Sequence, residues 1–230
     1  MTGSLDKTIK VWEPMKSSPI AQLEEEEQVD FFVPIISQND VNIVYVTGSV
    51  LKCLSFKHGK SVILLRNDRL ITALTQVMQS ESPLISFGQE NGVIKDFDIN
   101  SKHVVRRATL HHSKVVSLTS YDKYLISASE DGKIIVYDYM SQQEQSDLVL
   151  SKVGLSNPHA LLLMKNKKHL VIGDRKGITP VDIEARHLVE ITSPIGEISC
   201  FNKLPANDDQ DLSVFAGGLT DGSIRIWRDR

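Results

Sequence analysis

The chain is a succession of short segments in which apolar and polar residues alternate, separated by tight polar turns. In the first of them Thr2 and the turn carboxylate Asp6 precede the run Thr8, Ile9, Lys10, Val11, Trp12. Alternation of period two predicts a half-buried strand, because successive side chains leave a pleated backbone on opposite faces. The same arrangement returns as SASEDGKIIVYD (127–138) and AGGLTDGSIRIW (216–227), with weaker copies at 46–56, 87–98 and 172–182. Segments rich in β-branched and aromatic residues predict further strands at 19–23, at 29–36, 41–47, 51–56 and 61–65, and at 70–77, 84–88, 93–97 and 103–107. A fourth group falls at 115–119, 124–128, 133–137 and 147–150, a fifth at 159–164, 169–173, 178–182 and 187–191, and a sixth at 197–202, 212–217 and 223–227. Glu90-Asn91-Gly92 and Glu130-Asp131-Gly132 are hairpin turns, since Asn, Asp and Gly tolerate the backbone angles required. Gly48-Ser49 is a degenerate version with no carboxylate after it, and Pro180, which cannot donate to a ladder, predicts irregular pairing in its strand.

The last bulky residues of the six copies, Trp12, Phe56, Phe97, Tyr137, Val181 and Trp227, lie 44, 41, 40, 44 and 46 residues apart. A repeat of roughly 40–45 residues holding four short strands is the signature of a propeller blade. The expected fold is therefore all-β, a β-propeller of four-stranded antiparallel blades, about five and a half to six of them. It forms one domain over residues 1–230, with units ending near 12, 56, 97, 137, 181 and 227. The count comes to about 22 strands, two short of six full blades, so the ring is expected to be incomplete. The first unit lacks its innermost strand and the last its outermost, as a fragment, a short isoform or a truncated gene product would. Unpaired strand edges of this kind invite association.

Composition narrows function mainly by exclusion. With 41% hydrophobic and 24% charged residues, the 230-residue chain can bury a sizeable core. A net charge of −3 supplies no global basic field for nucleic acid. No stretch has the length of a membrane span, and the N-terminus has no basic-then-apolar leader. Cys53 and Cys200 fall in strands of different units, which points to free thiols and an intracellular, reducing location, cytoplasmic or nuclear. The run Glu24 to Glu27 is expected to be a solvated connection, with a basic partner site as the alternative. Lys165, Lys167 and Lys168 form one small basic hairpin and Arg106-Arg107 another, both expected on solvated surface, with a nucleic-acid or acidic-peptide contact as the alternative.

The copies ending at Trp12, Tyr137 and Trp227 resemble the WD-repeat family in sequence, and the spacing does so over the whole chain. The resemblance implies a hydrogen-bonded set in each complete unit: a His before the inner strand, a Ser or Thr on the second, an Asp in the turn, and an aromatic on the third. His111, Ser127, Asp131 and Tyr137 fill all four places, with tyrosine at the usual tryptophan position. Thr2, Asp6 and Trp12 fill three, and Asp221 and Trp227 two. Phe87 and Lys176 stand where a hydroxyl and a carboxylate belong, so those units are expected to be held by apolar packing alone. Ser127, His111 and Asp131 do not suggest a nucleophilic triad, because the set is internal and has no elbow to expose the serine. His111-His112 is a poor metal pair, since neighbours on an extended strand face opposite sides. The turn Gly217 to Gly222 lacks the lysine and spacing of a phosphate loop.

No residue set supports catalysis, and neither metal, cofactor, small-molecule substrate nor membrane is expected. The reading is a non-catalytic protein–protein interaction scaffold in a multiprotein assembly. The alternatives are an RNA-associated ribosome-biogenesis propeller, touching RNA only through its assembly, and a substrate receptor of a ubiquitin ligase. Trp227-Arg228-Asp229-Arg230 faintly matches the adaptor-docking element of such receptors, although Arg228 breaks the pattern. By the resemblance, partners dock on the face carrying the turns before the third strands and the connections into the inner strands. Leu5, Glu90, Lys114, Glu130, Arg175 and Thr220 are the expected contacts.

Overall fold

Six antiparallel sheets follow one another along the chain, and within each the strands are ordered in space as they are in sequence. The computed structural model describes residues 2–3, 6–13, 15–36, 41–55, 58–77, 84–121, 123–139, 143–149, 158–164, 169–175, 177–182, 187–188, 196–204 and 214–228. The first sheet holds β1 (Thr2–Gly3), β2 (Thr8–Trp12) and β3 (Pro19–Glu24). The second holds β4 (Phe31–Ile36), β5 (Val41–Thr47), β6 (Val50–Ser55) and β7 (Lys60–Arg66), and the third β8 (Ile71–Val77), β9 (Leu84–Gln89), β10 (Val93–Asp98) and β11 (His103–Thr109). In the fourth are β12 (Val115–Tyr121), β13 (Tyr124–Ser129), β14 (Lys133–Asp138) and β15 (Gln143–Val149). The fifth comprises β16 (Ala160–Leu163), β17 (His169–Gly173), β18 (Ile178–Asp182) and β19 (His187–Leu188), and the sixth β20 (Ile198–Leu204), β21 (Val214–Leu219) and β22 (Ile224–Arg228).

Each sheet packs face to face on the next through a separate apolar cluster. Ile9 of the first meets Ile43, Tyr45 and Leu54 of the second. Val44 and Leu51 meet Ile71, Ile85 and Phe87 of the third, and Ala73 and Ile94 meet Val115, Leu118 and Leu125 of the fourth. Ile134 and Val136 are covered by Leu161 and Leu163 of the fifth, whose Leu162, Val171 and Ile178 meet Ile198, Phe215 and Leu219 of the sixth. Both faces of the middle sheets are thus buried. Their strands therefore read as aliphatic runs, such as Ile134-Ile135-Val136, rather than as clean alternation. Among the described residues no strand pair and no core cluster joins the first sheet to the sixth, and the ring is open. Ile224 and Ile226 hold the same turn-relative positions as Ile134 and Val136 but are 73% and 66% exposed.

Two local expectations are corrected. The pairing of β17 with β18 runs without a register shift through Val171 opposite Pro180. An antiparallel strand donates to each neighbour only from alternate residues, so a proline need not interrupt the ladder on that side. The acidic run is not wholly solvated either. The Glu25 side chain is only 7% exposed and accepts from the Tyr45 hydroxyl, while its other oxygen lies 2.5 Å from Lys52 Nζ. Tyr45, which also bonds Ser61, is fully buried, and that burial raises its phenol's pKa.

Candidate functional site

The residues before each inner strand and the hairpin tips between the second and third strands converge on one end of the fan. Each tip is stitched to the segments around it by backbone hydrogen bonds. Glu90 N donates to Leu70 O (3.3 Å), Glu130 N to Lys114 O (3.0 Å) and Thr220 N to Glu197 O (3.1 Å), each tying a tip to the lead-in of its own sheet. Ile71 N donates to Gly48 O (3.0 Å), His111 N to Gly92 O (3.2 Å) and Ile198 N to Asp174 O (3.1 Å), each tying a tip to the lead-in of the next sheet. The degenerate Gly48 turn takes its carboxylate from elsewhere, its N–H donating to Asp30 Oδ2 at 2.9 Å.

These segments surround a mouth of about 620 Å³ to which five of the six sheets contribute. Phe31, Leu70, Ile71, Val116 and Ile198 supply apolar lining, and Asp30, Glu90, Lys114, His159, Glu197 and Thr220 supply polar lining. Glu90, Lys114 and Thr220, three of the expected contacts, line it. Two more sit one ion pair away: Glu130 Oε1 is 3.4 Å from Lys114 Nζ, and Arg175 Nε is 4.0 Å from Glu197. Leu5 lies outside the described residues, as do Lys165, Lys167, Lys168, Lys176, Asp229 and Arg230. The mouth residues that sequence reasoning missed are Asp30, His159 and Glu197. All three precede an inner strand by one residue, as Lys114 does, and that register was the available signal.

The four-member set of the fourth sheet is corrected to a pair. His111 Nε2 and Ser127 Oγ are hydrogen-bonded at 2.8 Å, both buried. Asp131 is exposed instead, and its carboxylate accepts from Lys133 N at 3.0 Å, two residues on. A carboxylate at a hairpin tip satisfies itself on its own turn amide. The turn is latched to the lead-in by serines: Ser113 Oγ bonds Ser129 Oγ at 2.8 Å and accepts from Asp131 N at 3.1 Å. Tyr137 presents its ring to the Arg106 guanidinium of the third sheet, 4.2 Å away. His112 is exposed while His111 is buried, so the two imidazoles face opposite ways. Replacing His111 or Ser127 with alanine is therefore expected to destabilise by about 1–3 kcal/mol, and Asp131→Ala by about 0.5–1.5 kcal/mol. Urea midpoints for the three variants check the order; equal losses would mean that the buried pair has no special role.

In the other units the same local logic holds. Asp6 Oδ1 accepts from Thr8 N (3.0 Å) and Thr8 Oγ1 (2.6 Å), and Asp221 Oδ1 from Ser223 N at 2.8 Å. Hydrogen bonds from the Ser223 side chain and amide hold Asp221 below the usual carboxylate range. The side chain of Thr2 is outside the described residues, while Trp12 is partly exposed on β2. Trp227 stacks on Phe215 with centroids 5.4 Å apart.

Apolar packing alone does not hold the third unit, contrary to expectation. Asp96, on the core-facing register of β10 beside Ile94, accepts from Ser86 Oγ (2.7 Å), Tyr139 Oη (3.2 Å) and Arg106 Nε. Arg106 stands directly opposite Asp96 on β11 and lies between the Tyr137 and Tyr139 rings, 4.2 and 4.7 Å from their centroids. It is thus not a solvated surface cation. Burial works against its charge, but the Asp96 carboxylate outweighs this, and the net effect raises the guanidinium pKa. The clamp joins the third and fourth sheets. Its signal in the sequence was a carboxylate where the strand pattern requires an apolar side chain.

The radial sheets, the five inter-sheet clusters and the loop-lined mouth define a β-propeller with an open ring. Residues 104–138 match the family described as WD domain, G-beta repeat. The WD repeat-containing protein JIP5 of Laccaria bicolor is 25% identical over 147 residues, 60% of this chain and 33% of that protein. The apoptotic protease-activating factor 1 of Homo sapiens is 25% identical over 142 residues, 60% of this chain and 11% of that protein. The matches therefore cover a third or less of these relatives' own length. The crystal structure of the computationally designed Ika8 protein superposes with a TM-score of 0.67 at 24% identity, over 98% of this chain and 66% of that one. The designed Ika4 protein gives 0.53 at 23% identity, over 70% of this chain and 92% of that one. Both are likenesses of fold. The chain carries a WD repeat at residues 104–138 and is similar to WD-repeat proteins, whose domains generally mediate protein–protein interactions and are typically non-catalytic.

Proposed function

We propose that this chain is a non-catalytic scaffold within a multiprotein assembly and that its partner docks on the mouth. The observation that supports this most directly is the stitched rim. Charged side chains stand on short turns whose backbones are hydrogen-bonded to the lead-ins beside them. Such a surface is ordered before a partner arrives, so little conformational freedom is lost on binding. The mixture of apolar and charged lining suits a protein surface, where an apolar anchor supplies affinity and rim charges set orientation.

Glu90→Lys is expected to abolish capture of the partner from cells, because it puts an ammonium beside Arg69 and reverses charge at the mouth. The measurement is an affinity pull-down with the wild type and Glu90→Lys, with circular dichroism confirming the β spectrum of both. Retention of every partner by a folded Glu90→Lys variant would place docking elsewhere.

A further inference from the structure

The charges of the mouth narrow its occupant, an inference that rests on the mouth being the docking face. Asp30, Glu90 and Glu197 line it against one ammonium, Lys114, and one imidazole, His159. A fourth carboxylate stands beside it, with Glu27 Oε2 3.4 Å from where a Cβ on Gly48 would sit. Both lining cations already face carboxylates, Lys114 at 3.4 Å from Glu130 and His159 at 3.2 Å from Glu197. The carboxylates keep more capacity. Glu90 meets Arg69 only at 3.9 Å, with both side chains in contact with solvent. Asp30 is held by neutral donors, Gln28 Nε2 at 2.6 Å and Gly48 N at 2.9 Å.

The same mouth is lined by apolar side chains, of which Leu70 is 51% exposed. Carboxylates and aliphatic side chains lining one mouth match a side chain with an aliphatic stem and a cationic head. A nucleic-acid backbone would instead bring phosphates to a mouth where carboxylates outnumber the single lysine. We propose that the mouth takes a cationic peptide segment of a partner protein. An arginine or lysine flanked by aliphatic residues enters with its charged head, its stem lying against the apolar lining, and Glu90 and Asp30 serve as its counter-charges.

The probes are four fluorescein-labelled peptide pools with Arg, Lys, norleucine or Glu at the centre and Leu, Ile or Val randomised on either side. Anisotropy titrations use the full chain at two salt concentrations. The Arg and Lys pools are expected to bind about tenfold or more tightly than the Glu pool, and more weakly as salt rises. Glu90→Gln and Asp30→Asn should each weaken the Arg pool about fivefold, while Glu13→Gln, on the first sheet away from the mouth, leaves it unchanged. Because Asp30 also supports the Gly48 turn, Glu90→Gln is the decisive variant. Norleucine binding equal to Arg, indifference to Glu90→Gln, or no saturable binding of the Arg and Lys pools each overturns the proposal. Those outcomes leave the scaffold reading standing if Glu90→Lys still loses its partner from cells; failure of both removes the mouth from consideration. Tighter binding of a labelled RNA oligomer than of the Arg pool also overturns it.

Discussion

Asp96→Ala is expected to lower the unfolding free energy by about 3–5 kcal/mol, because it leaves a largely buried guanidinium without its counter-ion. The Asp96 side chain is 2% exposed and that of Arg106 18%, so water cannot readily replace the lost carboxylate. The loss also frees the Ser86 and Tyr139 hydroxyls from their acceptor, 2.7 and 3.2 Å from it in the wild type. Two sheets loosen together, since Arg106 and Asp96 belong to the third and the tyrosines to the fourth strand group or the residue just after it. The double variant Asp96→Leu/Arg106→Met should recover part of the loss, as apolar side chains of similar volume often replace buried ion pairs at little cost. Urea denaturation of the wild type, single and double variants makes the comparison. A single-variant loss below about 1 kcal/mol would reduce the cluster to the worth of a surface ion pair.

The second large effect is expected at Gly92. Its φ is +83°, and an added Cβ would lie 2.1 Å from His111 O and 2.9 Å from Ser113 O, both backbone atoms that no rotamer change can move. Gly92→Ala must therefore accept a left-handed conformation and also push the hairpin tip of the third sheet away from the lead-in of the fourth. Together these costs are about 2–4 kcal/mol. Gly132, at φ +82°, has nothing within 4 Å of the same virtual atom, so Gly132→Ala pays only the conformational part, about 1–2 kcal/mol. Thermal melts of the two variants separate steric from conformational cost. Equal shifts would mean that the contact between Gly92 and His111 is readily relieved. Gly92→Ala is further expected to weaken partner capture at the mouth, since Gly92 O accepts from His111 N in the stitched rim.

Much of the strand plan was legible in the chain, and the reason is local. β2, β5 and β10 each begin where the run of β-branched residues begins and β14 one residue before it, and the turns before β10 and β14 carry Gly92 and Gly132 at positive φ. Such features depend on a residue and its immediate neighbours. The acidic run divided differently: Glu24, Glu26 and Glu27 remain exposed as like charges prefer, but Glu25 turns inward to Tyr45 and Lys52, 20 and 27 residues away. Nothing near Glu25 in the sequence distinguishes it from its three neighbours. The expected link between Asp131 and His111 failed for a related reason, because a turn aspartate can satisfy itself on its own amides or reach a side chain, and both outcomes begin from the same residues.

The amino-acid sequence by itself determined the repeat, the strands, the hairpins and the absence of any recognisable catalytic motif. All of these follow from periodicity and from the steric demands of glycine, proline and β-branched residues over a few positions. The tertiary structure alone decided which polar side chains are partners. It set Asp96 against Arg106 between two tyrosines, gave Asp30 to the Gly48 turn, and gathered Glu90, Lys114, His159 and Glu197 around one mouth. Such pairings depend on how sheets some forty residues apart in sequence stack on one another. Only the assembled fan brings those side chains within a few ångströms, where burial makes each choice of partner matter.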